Sequence, residues 1–380
     1  MTAAPIVKGW CPGAYRPMMS GDGLIVRVRP RMSRLSKHEA ENLASLSLRF
    51  GNGIIDLTSR GNLQLRGVAE VDHAALLEGL LDAGLLDDTP EREAKRNILV
   101  APFDDGDCIA TEVHDQIVAG LGDLPDLPAK MGMVLDTGTQ RCLSDAPADF
   151  RFETGAEHRL ILRADGAKTG MSVDEHTAVP ALHKMAQWFV DSGGRASGRM
   201  GRHVQVAKLP LEFRGHAPAA VGAIPQPGPQ AEGFLLGAAF GAIEARALQD
   251  LLHSTATTGL RVTPWRMFLL EGAEQVHDDR FVTVPGDALL SVHACPGAPM
   301  CPQAGADTRS LARALAQQFG LAQRLHVSGC AKGCAHPKSA DLTFVGSDGK
   351  FDLVRAGAAW DEPDARGLTR DEILKDVVPQ

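Results

Sequence analysis

The sequence predicts an α+β fold made of a duplicated half, a central α/β segment and a C-terminal segment that carries paired cysteines. Three observations support this. A β-α-β-β-α order in residues 24–81 returns as β-α-β-β in residues 233–270, separate strand and helix patterns lie between them, and two short cysteine pairs follow. The expected boundaries are 1–90 for the first half-domain, 91–214 for the central α/β domain, 215–230 for a linker, 231–290 for the second half-domain and 291–380 for the cysteine domain.

The first unit opens with Leu24–Arg29, whose alternation reads as a strand. Ser36-Lys37-His38-Glu39 is a capping box that starts a helix to about Phe50, and Gly51-Asn52-Gly53 ends it. Ile54–Thr58 and Asn62–Arg66 read as strands around the turn Ser59-Arg60-Gly61, and Val71–Leu81 as a helix. In the second unit Gly233–Ala239 is expected as a strand, Ala242–His253 as a helix, and Gly259–Thr263 and Met267–Leu270 as strands. Ile54–Gly67 aligns with Gly259–Gly272 without a gap, placing Thr58 on Thr263 and Gly67 on Gly272. Such a register implies two halves packed about a pseudo-twofold axis.

In the central segment Asn97–Ala101, Met131–Asp136 and Arg159–Arg163 are expected as strands. Val179–Val190 has helical spacing, with Pro180 in its first turn and Gly193-Gly194 beyond its end. Residues 215–230, rich in proline and alanine, read as the linker. Asp307–Phe319 reads as a helix, Leu325–Val327 as a strand, and Ser347-Asp348-Gly349-Lys350 as a hairpin turn.

Composition narrows the function classes. With 44% hydrophobic and 23% charged residues in 380, the chain has the make-up of a soluble globular protein of several subdomains. A net charge of −8 argues against nucleic acid as the partner. The longest apolar run, residues 233–243, is too short to span a bilayer, and no signal peptide is read at the start. A cytoplasmic enzyme with no membrane partner is the expectation.

Four of the seven cysteines form the pairs Cys295/Cys301 and Cys330/Cys334. Short pairs joined by a longer segment bring four thiolates to one metal centre. Gly297, Gly329 and Gly333 permit positive φ, while Pro296, Pro299, Pro302 and Pro337 stiffen the loops. The wide first pair favours a [4Fe–4S] cluster over structural zinc, whose ligand pairs are usually closer, although zinc and unliganded thiols remain alternatives. Cys11, Cys108 and Cys142 lack a partner at ligand spacing and are expected as reduced thiols.

Together, the duplicated half, the central α/β segment and the C-x5-C…C-x3-C pattern resemble the sirohaem sulfite/nitrite reductase superfamily. The resemblance covers nearly the whole chain. It implies duplicated ferredoxin-like half-domains and α/β reductase-type domains around a central cofactor or substrate cavity. Thr58-Ser59-Arg60-Gly61-Asn62-Leu63-Gln64, Arg96-Asn97-Ile98-Leu99 and Leu127-Pro128-Ala129-Lys130-Met131-Gly132 resemble family segments that face the bound anion. By that resemblance Arg60, Arg96 and Lys130 line the cavity. The third family segment carries a second lysine where this chain has Gly132, so an anion clamp is missing.

The opening, Lys8-Gly9-Trp10-Cys11-Pro12-Gly13-Ala14-Tyr15-Arg16-Pro17-Met18 with Gly21-Asp22-Gly23-Leu24, resembles the precorrin-3B synthase branch. So do Val292–Gly297 and His326–Lys338. That branch implies O2-dependent hydroxylation of precorrin-3A at C20 with γ-lactone formation. It also implies a [4Fe–4S] cluster on Cys295, Cys301, Cys330 and Cys334, a second, mononuclear non-haem iron, and an NADH-dependent reductase as electron donor. Arg27, Arg29, Arg60, Arg66 and Arg96 are candidates for the substrate carboxylates, because guanidinium pairs carboxylate bidentately; for Arg27 and Arg29 an exposed strand face is the alternative. The ligands of the second iron are not readable from spacing. His158, His176, His183, His203, His293 and His336, with Asp174 and Glu175, are all available, and Cys334 could bridge to a second iron. A sirohaem sulfite or nitrite reductase, and a non-catalytic electron carrier, are the competing readings.

Overall fold

The computed structural model describes residues 11–103, 108–318 and 323–377. Expectations placed on residues 1–10, on Phe319 and on the side chain of Cys108 lie outside the described residues.

The first half comprises β1 (Met18–Ser20), β2 (Gly23–Val28), β3 (Arg34–Ser36), α1 (Lys37–Phe50), β4 (Ile54–Leu57), β5 (Leu63–Val68) and α2 (His73–Asp82). The capping box forms as expected: Glu39 N donates to Ser36 Oγ at 3.3 Å and Ser36 N donates to Glu39 Oε2 at 2.7 Å. The central segment holds α3 (Pro90–Lys95), β6 (Ile98–Val100), α4 (Cys108–Gly120), β7 (Met133–Asp136), β8 (Phe150–Thr154), β9 (Leu160–Ala164), β10 (Met171–Ser172), α5 (Ala178–Asp191), α6 (Gly194–Ser197) and α7 (Met200–Val206). Its sheet has the order β10-β9-β8-β7-β6, parallel from β6 to β8 and antiparallel beyond. Strand β8 escaped the sequence reading because Phe150-Arg151-Phe152-Glu153 buries its polar residues as well: Arg151 and Glu153 are paired inside the sheet layer.

The second half contains β11 (Gly228–Gln230), β12 (Gly233–Gly237), β13 (Ala242–Glu244), α8 (Ala245–Ser254), β14 (Gly259–Val262) and β15 (Met267–Glu271). Residues 242–244, expected as helix, form strand β13 instead. β13 pairs with β4 of the first half, and β3 of the first half pairs with β14 of the second. The halves therefore exchange edge strands, giving sheets of order β1-β2-β5-β4-β13 and β11-β12-β15-β14-β3. Matching turns precede the exchanged strands, with Met32 at φ 54° and Phe240 at φ 59°. A single core runs through both halves, joining Val26, Ile55 and Leu65 to Leu248, Leu260 and Phe268.

The segment 215–230 is more than a free linker. Gly170 pairs with His216, Gly155 with Pro218 and Arg141 with Val221, so the segment follows the central domain before entering β11. The last domain has β16 (Val292–Ala294), α9 (Thr308–Gln318), β17 (Leu325–Ser328), β18 (Ala340–Ser347), β19 (Lys350–Gly357), β20 (Ala365–Leu368) and the short α10 (Arg370–Glu372). β16, β17 and β18 are parallel, and the expected hairpin turn joins β18 to β19 with Asp348 at φ 47° and Gly349 at φ 78°. Among the described residues no helix is long and apolar enough to cross a membrane.

In both exchanged sheets alternation sends one face to the core and leaves the other polar. Val26, Ile55 and Leu65 face the helices, so Arg27, Asp56 and Arg66 project from the opposite side. The aligned positions of the second half carry the reverse charges. Arg66 Nη1 bonds Asp56 Oδ2 at 3.2 Å, and Arg261 Nε bonds Glu271 Oε1 at 2.5 Å.

The two aligned glycines differ in surroundings although both have positive φ, 71° at Gly67 and 75° at Gly272. A Cβ on Gly67 would lie 2.6 Å from Asn52 Cβ and 3.0 Å from Asn52 N, whereas on Gly272 the nearest atom is 3.7 Å away. Each alanine substitution should cost about 1–3 kcal/mol from backbone strain, with an added clash at Gly67 only. Chemical denaturation is expected to rank Gly67→Ala well below Gly272→Ala; equal midpoints would contradict this packing.

Candidate active site

The two cysteine loops meet at the C-terminal ends of parallel strands. Cys295 follows β16 and Cys330 follows β17, while Cys301 and Cys334 return from their loops. All four line one cavity of about 220 Å³, together with Arg66, Met18 and Gly329. Gly297 and Gly333 have φ of 72° and 64°, as expected. Gly329 serves a different purpose. Its absent side chain would strike Ala304 Cβ at 2.6 Å, and its N–H points at Cys295 Sγ at 3.1 Å. Burial raises the Cys295 thiol above its usual range, against the lowering effect of the Gly329 and Gly297 N–H groups. Burial also raises Cys334, opposed by Lys332. Metal loading of these thiols must therefore release protons.

The three basic segments also come together. Arg60 Nη1 donates to the Lys130 carbonyl at 2.7 Å, and Asn97 Nδ2 donates to the Met131 carbonyl at 3.2 Å. The arginines differ in how they are compensated. Arg29 pairs with buried Glu93, Arg66 with Asp22 and Asp56, and Arg96 with buried Asp87 at 2.7 Å while also donating to the Arg29 carbonyl. Among the described residues no carboxylate lies at ion-pair distance from Arg27 or Arg60. Arg27 is 7% exposed with its Nε unpartnered. Burial lowers the pKa of both, and Arg199 and Arg27 push Arg60 further down. Two guanidiniums this desolvated favour an anion beside them.

Two larger cavities flank this cationic region. One, about 660 Å³, runs from Cys295 and Cys334 past Asp56, Gln64 and Ser59 to Trp265 and Arg309. The other, about 460 Å³, is bordered by Cys11, Arg29, Lys95, Ala129, Met131 and Gly132. Arg60 lies between them: its neighbour Ser59 lines the first, and the residues either side of Lys130 line the second. Arg309, which sequence reasoning missed, has a buried, unpartnered Nε and a 3.4 Å contact with Asp56. Nothing in its local pattern marked it, because helix α9 reads as an ordinary amphipathic helix.

Gly132 has a structural reason. A Cβ there would lie 2.4 Å from Asn97 Nδ2 and 2.9 Å from the Asn97 carbonyl, so Asn97 fills the place of any side chain. Gly132 N also donates to buried Asp149.

Of the candidate histidines, the structure gathers His293 and His336, with ring centres 4.4 Å apart. It adds His326, 5.8 Å from His336 and paired in register with His293 on the neighbouring strand. His326 is fully buried with both ring nitrogens unpartnered. Its place on an alternating strand reads as core, which hid it from the sequence. His158, His176, His183 and His203 take no part in this group; His203 is held by Ser192 and Ser197. Among the described residues no three His, Cys, Asp or Glu groups converge on a single metal ion.

Comparison with known proteins fits this architecture. Residues 16–83 match the nitrite/sulfite reductase ferredoxin-like half domain. A precorrin-3B synthase from Sinorhizobium sp is 32% identical over 96% of this chain and 86% of its own length. The chain belongs to the precorrin-3B synthase family. A ferredoxin–nitrite reductase from Synechococcus elongatus is more distant, 23% identical over 89% of this chain and 79% of its own. The fold is also that of the Mycobacterium tuberculosis NirA protein, with a TM-score of 0.65 at 20% identity, covering 93% of this chain and 79% of that one. The α+β architecture with ferredoxin-like halves, expected from the sequence, is thus shared across the superfamily.

The buried histidines make the protein without metal acid-sensitive. Burial, then His336, pushes His326 down to about 4, so between about pH 4 and 6.5 the unfolded chain binds a proton that the folded one excludes. Stability should fall as pH drops through that window, by at most about 3 kcal/mol from this residue. His326→Leu should flatten the acid limb of a pH–stability profile. An unchanged limb would show that His326 is not buried in neutral form.

Proposed function

We propose that the protein is a precorrin-3B synthase that hydroxylates precorrin-3A at C20 with O2 and closes the ring-A acetate as a γ-lactone. The observation that carries this reading is the pair Arg27 and Arg60: Arg27 buried with its Nε unpartnered, Arg60 half-buried and close enough for the two to repel, and neither ion-paired to a carboxylate among the described residues. A tetrapyrrole with many acetate and propionate groups supplies the missing charge, and desolvated guanidinium pairs it strongly. Lys130, whose backbone carbonyl holds Arg60, is the third candidate cation of this segment by the family resemblance. Arg96 acts behind them, held by Asp87 and holding the Arg29 backbone. Arg29 and Arg66, already neutralised by Glu93, Asp22 and Asp56, shape the cationic wall.

Cys295, Cys301, Cys330 and Cys334 fit a [4Fe–4S] cluster: four thiols surround one cavity, with a backbone N–H aimed at a sulfur. When bound, such a cluster supplies single electrons, delivered by an NADH-dependent reductase. N–H donors to its thiolates raise its potential. The second iron implied by the resemblance has no convergent set of three ligands among the described residues, and no residue is assigned to it. The protein's own residues bind the substrate carboxylates, fix the macrocycle beside Cys334 and keep its face in a largely apolar cavity. Sulfite or nitrite reduction is the poorer reading, because Asn97 occupies the space a second anion-binding lysine would need. The composition and the soluble fold accord with a cytoplasmic setting.

With reductant and labelled O2, the product is expected to carry one labelled oxygen at C20; efficient anaerobic reduction of sulfite would overturn the assignment. Cys301→Ser and Cys330→Ser should lose the cluster's iron and sulfide, while Cys142→Ser, whose thiol contacts Asp136, should retain them. Arg60→Ala should weaken substrate binding more than tenfold, since removing one partner of a desolvated pair costs about 2–5 kcal/mol. Arg96→Ala should read out in stability, leaving buried Asp87 with only the longer contacts to Arg31 at 3.5 Å and Arg92 at 4.0 Å, at a cost of about 1–3 kcal/mol.

A further inference from the structure

The proline-rich segment between the central domain and the second half does more than connect them. Its last bond to the central domain is Gly222 N to the Arg141 carbonyl at 2.9 Å, and its first strand residue is Gly228. The intervening residues 223–227 belong to no strand or helix, and Pro225 and Pro227 keep the backbone extended. In an extended chain residues two apart share a face. Ile224 and Gln226 stand at that spacing, and both line the 660 Å³ cavity on whose wall Cys295 and Cys334 lie. Ile224 is 45% exposed, an isoleucine held at the rim of a cavity whose lining also includes Trp265, Phe240 and Leu290.

We infer that residues 223–227 form a strap over the substrate, with Ile224 packing on the macrocycle face and Gln226 hydrogen-bonding a peripheral substituent. The inference rests on the tetrapyrrole reading and adds two specificity residues contributed by the segment between domains. A planar or ruffled macrocycle offers the broad apolar face that Ile224 needs to leave water, while its rim offers the acceptors Gln226 can reach. A small oxyanion offers neither. Val221, 61% exposed on the same segment, does not line the cavity and provides the control.

The test is titration of the cluster-loaded protein with uroporphyrin III, a stable octacarboxylate tetrapyrrole, and with precorrin-3A, together with limited proteolysis. Ile224→Asp should weaken binding at least tenfold, Ile224→Ala and Gln226→Ala by a few fold, and Val221→Asp not at all. Bound ligand should protect residues 222–228 from cleavage. Iron content and melting temperature of each variant check that it folds, and Ile224→Ala serves if Ile224→Asp does not. Unchanged affinity in the Ile224 variants, or an equal loss in Val221→Asp, overturns the strap while leaving the tetrapyrrole reading standing. Failure of the wild-type protein to bind either tetrapyrrole overturns that reading and the strap with it.

Discussion

The reciprocal exchange of β3 and β13 is the constraint on which the rest of the molecule depends. Each half-domain sheet is completed by a strand from the other, so neither half can pair its own edge alone. Because β-strands alternate, closing both sheets onto one apolar core commits the opposite faces to charge. That polar face carries Arg27, Asp56 and Arg66 on one side of the pseudo-axis, and Arg261 and Glu271 on the other. The cavity wall is a by-product of how the core closes.

Charge reversal between the halves shows how a duplicated fold can lose symmetry at its functional surface while keeping it in its backbone. The ion pair Asp56–Arg66 becomes Arg261–Glu271 at aligned positions, and the Arg60 position becomes Trp265. The backbone cross-bonds at Thr58 and Thr263 persist: both threonine N–H groups donate across their turns, to the Asn62 and Met267 carbonyls. The first turn brings Ser59 and the second Trp265 to the lining of the same cavity. The cysteine domain then docks on the same face through Arg66, which donates to the Met300 carbonyl of the first cysteine loop.

The arginines of this wall fall into two groups, and the difference is physical. Arg29, Arg66 and Arg96 have internal carboxylates and contribute to a rigid wall. Arg27, buried, and Arg60, half-buried, have none among the described residues, and desolvation lowers the pKa of both.

Much of this was legible in the sequence. The capping box at Ser36, the hairpin turn at Asp348-Gly349, the ungapped Thr58/Thr263 register and the pairing of cysteines in Gly/Pro loops are local features, set by φ preferences and short-range hydrogen bonds. The family resemblance followed from the same short motifs. Tertiary structure alone decided the rest. Residues 242–244 became a strand because an edge of the other half was open to them, overriding their helical pattern. Which arginines are neutralised, why Gly132 cannot carry a side chain beside Asn97, and how His326 joins His293 and His336 all depend on contacts between residues far apart in the chain. Spacing along the chain encodes backbone conformation. Compensation of charge depends on distance in space, which only the packed fold defines.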